Sequence, residues 1–187
     1  MQNYEFVASH ISEGTASGST EINVMPVPQS HERCFRAAAT EGCIADVRYG
    51  FWLDITNRSD KPIRLVWPHA RYVDELGKTH ELFAPDRGDL TVDIAQVHLS
   101  QTDTLRPGEK RRPTVMPIYK QYMVGCKDPE LFSEPLVPTR LDDKDEIATK
   151  RYVEDLAKRQ VPVKLLLPVE IESIRYEYTF TFVLRPR

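Results

Sequence analysis

An all-β antiparallel sandwich with one late α-helix is the fold class this sequence predicts, and three observations carry that expectation. The first is the stretch VPVKLLLPVEIESIRYEYTFTFVL at 161–184. Val161, Val163, Leu165, Leu167, Val169 and Ile171 alternate along its first arm, and Ile174, Tyr176, Tyr178, Phe180, Phe182 and Leu184 along its second. A period of two belongs to strands, so the stretch predicts a long β-hairpin with one apolar face. The second is proline: fourteen prolines against eight glycines, spread through the chain, limit helix and mark strand edges and loops. The third is that a single segment, about 144–159, keeps the helical period.

At 187 residues the chain is long enough for one substantial core. The expected organisation is an N-terminal strand and flexible segment over 1–20, then a single sandwich domain over 21–187 with a loop and helix insert at 119–160. Apolar residues are 41%, charged residues 28% and the net charge is -3, which gives no pull toward nucleic acid or an anionic membrane surface. A polyanion partner is therefore not expected; the expected partner is protein, with no cofactor. No apolar run reaches the roughly 18 residues of a membrane-spanning helix. Met1-Gln2-Asn3-Tyr4 lacks the charged and apolar regions of a signal peptide. The chain is expected to be cytosolic if Met1 is the native start, or of the envelope or periplasm, with a lipid anchor, if a leader was trimmed. Three cysteines cannot all pair within one chain. Cys34 and Cys43 bonded in an oxidising compartment with Cys126 free, or all three as thiols, are both open readings.

In chain order, Tyr4 to Ser9 predicts a short strand, and SEGTASGST after it a flexible connection. Glu21 to Val27 predicts an edge strand, confined there by Pro26 and Pro28. Residues 29–45 carry no clear pattern, with a short turn of helix over Phe35 to Ala39. Val47, Tyr49, Phe51, Leu53 and Ile55 alternate as a central strand. The turn Asn57-Arg58-Ser59-Asp60-Lys61-Pro62 predicts a return along Ile63, Leu65 and Trp67 as a hairpin. A further hairpin follows over Arg71 to Phe83, with Gly77 supplying positive φ in its turn. Leu90 to Leu99 leans to strand, and Pro107-Gly108 turns the chain into a strand over Lys110 to Ile118. Pro129, Pro135 and Pro138 predict an irregular excursion over 119–140. Asp143, three residues before Glu146, reads as an N-cap, and Ala148, Tyr152, Val153, Leu156 and Ala157 as one helix stripe ended by Pro162.

Three segments, FWLDITNRSDKPIRLVWPHARYVDELGKTHELF, LRPGEKRRPTVMPI and VPVKLLLPVEIESIRYEYTFTFVL, in that order, resemble uncharacterised immunoglobulin-like β-sandwich domains of bacterial envelope lipoproteins. The resemblance covers residues 47–184 and rests on turns and core strands. It implies an immunoglobulin-like sandwich and an envelope setting, and it brings no catalytic residues. The chain departs from the pattern in lacking a lipobox cysteine and in carrying the helix insert.

Sharp functional motifs are few. His10, His31, His69, His80 and His98 lack zinc spacing, although His69, His80 and Glu81 can converge across a hairpin. Asp142, Asp143, Asp145 and Glu146 have acid-pair chemistry but sit where a helix dipole favours negative charge. Arg87-Gly88-Asp89 is an exposed-loop tripeptide with an ordinary turn composition. Lys110, Arg111, Arg112 and Arg106 form a basic patch without interleaved aromatics, which reads as a solvated strand end. Trp67 shares the apolar register of its strand and is expected in the core. Trp52 sits on the polar face of its strand and is a candidate exposed anchor.

These readings converge on a non-enzymatic binding or assembly module. Its expected contact surface is the 119–140 excursion with the adjoining helix, anchored by Tyr119, Tyr122, Met123 and Phe132 together with Trp52. Two other classes stay open: a small hydrolase or thiol enzyme using Cys126, and a cytosolic regulator or immunity-type inhibitor.

Overall fold

The computed structural model describes residues 4–47, 49–83, 102–125, 130–137 and 146–187. The chain opens on a strand longer than its sequence suggests. β1 (Tyr4–Thr15) runs through the Ser/Gly/Thr-rich stretch, turns at Ala16 and Ser17, and returns as β2 (Gly18–Ile22). The expected flexible connection is instead a hairpin. Turn-rich composition and an edge hairpin look alike in sequence, because β2 exposes both its faces except at Ile22.

β3 (Val24–Pro26), β4 (Arg33–Arg36), β5 (Thr40–Val47) and β6 (Gly50–Asn57) follow as a meander. The prolines of β3 keep it at the sheet edge, as expected. The helical turn expected over Phe35 to Ala39 is a correction: Phe35 lies on β4, and Ala37 to Ala39 turn the chain into β5. Val47 also belongs to β5 rather than to the central strand, which begins at Gly50. Gly42 is required where β5 crosses β6, since a Cβ there would lie 1.7 Å from the Asp54 carbonyl oxygen.

The turn after β6 is built by Asn57. Its Nδ2 donates to the Lys61 and Leu105 carbonyls at 2.7 and 3.0 Å, and its Oδ1 accepts from the Ser59 N–H at 2.9 Å. The chain does not return along β6, however. β7 (Ile63–Leu65) crosses to the other side of the molecule, so the hairpin expected there is not formed. Trp67 follows in a 3-10 turn, Trp67–His69, buried as expected, with Nε1 donating to Asp103 Oδ2 at 2.8 Å. β8 (Arg71–Val73) and β9 (Thr79–Phe83) form the expected hairpin, and Gly77 adopts φ +77° in its turn. The Leu90 to Leu99 segment lies outside the described residues. β10 (Asp103–Leu105) pairs with β7, and the Pro107-Gly108 turn leads into β11 (Lys110–Arg111) and β12 (Thr114–Pro117), both on β6.

Residues 119–140 bring a second correction. After a 3-10 turn (Ile118–Lys120), β13 (Gln121–Val124) and β14 (Glu130–Ser133) pair as an antiparallel hairpin of their own. Pro135 falls after the ladder, where no strand N–H is needed, so proline content did not forbid regular sheet. α1 (Glu146–Arg159) packs Thr149, Val153 and Leu156 inward. Its end is set at Gln160, in the left-handed region at φ 53°, where the Val161 N–H donates to the Leu156 carbonyl. Asp143 lies outside the described residues.

β15 (Val163–Ile171) and β16 (Ile174–Pro186) form the predicted closing hairpin, with Leu165 facing Phe180 and Val163 facing Phe182. Glu172 and Ser173, at φ 48° and 70°, make its two-residue turn. Pro168 sits between the stretch of β15 that pairs with β8 and the stretch that pairs with β7, where no ladder donor is missed. The far end of the hairpin emerges from the core: Ile174 is 55% exposed.

The main sheet runs β2-β1-β16-β15-β8-β9-β12-β6-β5-β4-β3 and is antiparallel throughout. It curls into a barrel-like form until β1 meets β5. There the Phe6 N–H donates to Asp46 Oδ2 at 2.8 Å, a side chain serving in place of a strand partner. Phe35, Phe51, Tyr72, Phe180 and Phe182 fill the interior, with Phe51 stacked on Phe182 at 4.3 Å.

Candidate functional site

Register places the surface features. On β6, Phe51, Leu53 and Ile55 face the core, so Trp52, Asp54 and Thr56 face the other way. Pairing then sets Met25, Cys34, Cys43 and Asp54 in one row across four strands, and Ala45, Trp52 and Thr114 in the next. Cys34 and Cys43 are joined by a disulfide that straps β4 to β5, which resolves the two open cysteine readings in favour of pairing. Met25 is 46% exposed at one end of its row. At the other end Asp54 accepts from Arg112 Nε at 3.0 Å and pairs with Lys110 Nζ at 3.2 Å. Arg111 pairs with Glu109 at 2.9 Å. The basic patch of the sequence is thus largely matched by carboxylates. Trp52 itself is partly exposed, as its parity predicted.

From Thr114, the neighbour of Trp52, β12 carries the chain directly into the 3-10 turn holding Tyr119 and the β13–β14 hairpin. Tyr122 and Met123 lie on β13 and Phe132 on β14, with Tyr122 and Phe132 register partners. The side chains of these four candidates lie outside the described set. Among described side chains of this region, Val124 on β13 is 47% exposed and Ile147 in the first turn of α1 is 66% exposed. The insert therefore presents apolar surface to solvent, as does the Trp52 face through Met25.

Buried charge gathers at the barrel seam. Glu5 is 2% exposed; Arg187 Nε donates to its Oε2 at 2.7 Å and His31 Nδ1 contacts its Oε1. Beside it, burial pushes the Asp46 carboxyl up to about 7; the Phe6 N–H partly offsets this, and the Glu5 charge adds to it. Among the described residues, Asp46 Oδ1 has no hydrogen-bond partner. No sequence signal pointed to this cluster, because its members come from four separate segments. Its geometry serves closure of the sheet, since Asp46 is committed to the β1 backbone.

The remaining sequence candidates separate. His80 Nε2 bonds Asp74 Oδ2 at 2.7 Å, whereas His69 Nδ1 faces Arg175 Nη2 at 3.0 Å, so His69, His80 and Glu81 do not converge. Burial opposes ionisation of Asp74, but His80 and the N–H groups of Lys78 and Leu76 hold its carboxyl below the usual range. Tyr152 donates to Glu75 Oε1 at 3.1 Å, and burial with that carboxylate pushes its hydroxyl up to about 12. Cys126, His98, Arg87-Gly88-Asp89 and Asp142, Asp143 and Asp145 lie outside the described residues, and Glu146 is exposed at the start of α1. No helix among the described residues is long and apolar enough to cross a membrane. No protein-family profile, curated protein or solved structure matches this chain.

Proposed function

We propose that this chain is a non-enzymatic protein-binding module of the bacterial cell envelope, built on an immunoglobulin-like β scaffold. The partner contacts the outward face around Trp52 and the adjoining insert, with Tyr119, Tyr122, Met123 and Phe132 as further anchors. The observation that carries this reading is Trp52 held partly exposed on a rigid sheet face whose neighbouring row ends in the exposed Met25. Aromatic and methionine side chains are enriched at interface centres because they bury much area at small entropic cost. On the insert itself, Val124 and Ile147 are exposed apolar side chains. The interior, filled by aromatic side chains, argues for a surface contact rather than an enclosed ligand. The Cys34–Cys43 bond supports an oxidising compartment and thereby the envelope setting.

The test is photo-crosslinking in cells, with p-benzoylphenylalanine at position 52 and, as a control, at position 76, an exposed leucine in the β8–β9 turn. A discrete protein adduct from position 52 that is missing from position 76 is expected. Identical patterns from both positions, or none from position 52, would overturn the reading.

A further inference from the structure

The disulfide row holds a second chemistry that the binding face does not use. Glu32 lies two residues before Cys34, and its carboxylate together with the two sulfurs forms a group whose donor atoms all lie within 4.8 Å of one another. All three residues are half-buried, neither sealed in the core nor splayed into solvent. Among the described residues, no ion pair engages the Glu32 carboxylate, although most neighbouring carboxylates are taken: Glu5 by Arg187 and His31, Glu41 by Arg36 and Arg58, Asp54 by Arg112 and Lys110. An unpaired carboxylate beside two sulfurs presented by facing strands is a hard-soft mixed donor set.

We propose that, once the disulfide is reduced, the Cys34 and Cys43 thiolates and the Glu32 carboxylate bind a thiophilic divalent cation of the zinc type. Zinc takes thiolate sulfur at about 2.3 Å and carboxylate oxygen at about 2.0–2.2 Å in tetrahedral geometry, which separates neighbouring donors by roughly 3.5–3.8 Å. The observed cluster needs shifts of about an ångström to reach that shape, and the bonded sulfurs must part. Both sulfurs sit on adjacent strands in directly facing register, so side-chain rotation supplies the movement while the ladder is kept. Solvent completes the fourth position. Calcium and magnesium are excluded by the preference of those ions for six or more oxygen donors.

The reducing step takes a dithiol reductant. It passes two electrons and two protons to the Cys34–Cys43 bond, yielding two thiols, and closes into its own disulfide. The cation then displaces both thiol protons, so binding releases two protons per ion and strengthens as pH rises. The strap between β4 and β5 thus exists in two exchangeable forms, covalent when oxidised and metal-bridged when reduced. Neither the partner nor Trp52 enters this inference, but it shares the Cys34–Cys43 bond with the envelope reading and requires a dithiol reductant to reach the protein there.

The test uses the full chain carrying Cys126→Ser, which removes the third thiol, reduced under anaerobic conditions and titrated with Co2+ and then Zn2+. The expected result is a thiolate-to-cobalt charge-transfer band saturating at one ion per chain and erased by zinc. Glu32→Ala should weaken zinc binding roughly tenfold or more, and the oxidised protein should bind none. Absence of the band in the reduced protein, equal affinity in Glu32→Ala, or equal binding by the oxidised protein overturns the proposal. Near-UV circular dichroism follows the fold throughout. If reduction unfolds the chain, zinc must restore the native spectrum, and failure to do so also overturns the proposal.

Discussion

The closing hairpin β15–β16 and the hairpin β4–β5 use the same antiparallel ladder but are held by different forces. In the first, Leu165, Leu167, Tyr178, Phe180 and Phe182 are buried in facing register, and hydrophobic burial does the work. In the second, Cys34 and Cys43 are half-exposed, Gly42 offers no side chain, and Phe35 is the one residue of β4 that reaches the core. A disulfide joins these strands where apolar area is scarce. The two hairpins meet at Phe35, whose ring lies 5.3 Å from Phe180, edge to face. Burial on both strands holds the first hairpin, whereas the second buries only Phe35, Thr40 and Ile44 and adds a covalent strap.

The strongest way to break this contrast is Phe180→Ala. A fully buried aromatic that touches Phe35 leaves both a lost transfer term and a cavity, and a loss of about 3–5 kcal/mol is expected. Ile174→Ala, on the same strand but 55% exposed, should change stability by less than about 0.5 kcal/mol. Urea denaturation of both variants checks the pair. Similar losses would mean that burial does not divide the strand as described.

Next in size is the disulfide. Cys34 and Cys43 are nine residues apart in sequence, and the loop-closure model gives roughly 2–3 kcal/mol for a crosslink of that span. The double variant Cys34→Ser, Cys43→Ser should lose about that much, with a denaturant slope equal to or slightly above that of the wild type because the uncrosslinked unfolded chain exposes more surface. A loss below about 0.5 kcal/mol would show that the β4–β5 ladder needs no strap.

These differences also decide what could be read from the sequence. The closing hairpin was legible because a long two-residue alternation has no helical interpretation, and the β8–β9 hairpin because Gly77 marks its turn. β4 and β5 were not, because the outward Cys34, Cys43 and Ala45 are small and only half-covered and Gly42 leaves a gap on the inward face beside Ile44, so no alternation appears. β7 was recognised as a strand but given the wrong neighbour. Asn57 does build the predicted turn, yet the choice of β10 and β15 as partners is made by burial of Ile63 and Leu65 far along the chain. Of the candidate site, Trp52 was legible through strand parity alone. The row Met25, Cys34, Cys43 and Asp54 required the pairing of four strands, two of which, β4 and β5, carried no strand signal. The seam acids were invisible for the same reason.

The smallest expected effect, and the one with the sharpest signature, lies at that seam. Asp46 holds its proton up to about pH 7 because burial disfavours the charge, while in the unfolded chain it ionises near its ordinary 3.8. Below about pH 3 both states are protonated and the group is silent. Between about 4 and 7 the native state binds more protons than the unfolded one, so stability falls as pH rises, and above 7 the loss is complete. The full shift sets a ceiling near 4 kcal/mol, and relaxation with water access brings the expected loss to about 1–3 kcal/mol. Asp46→Asn keeps an oxygen for the Phe6 N–H but carries no charge, so its stability should lack this descending limb. Wild type and variant, compared by urea titration at pH 4 and pH 8, should therefore diverge only at the higher pH, in favour of the variant. Parallel profiles would show that Asp46 ionises freely in the fold. The seam would then be open to water, and the closure of β1 on β5 would be looser than the hydrogen bond between them implies.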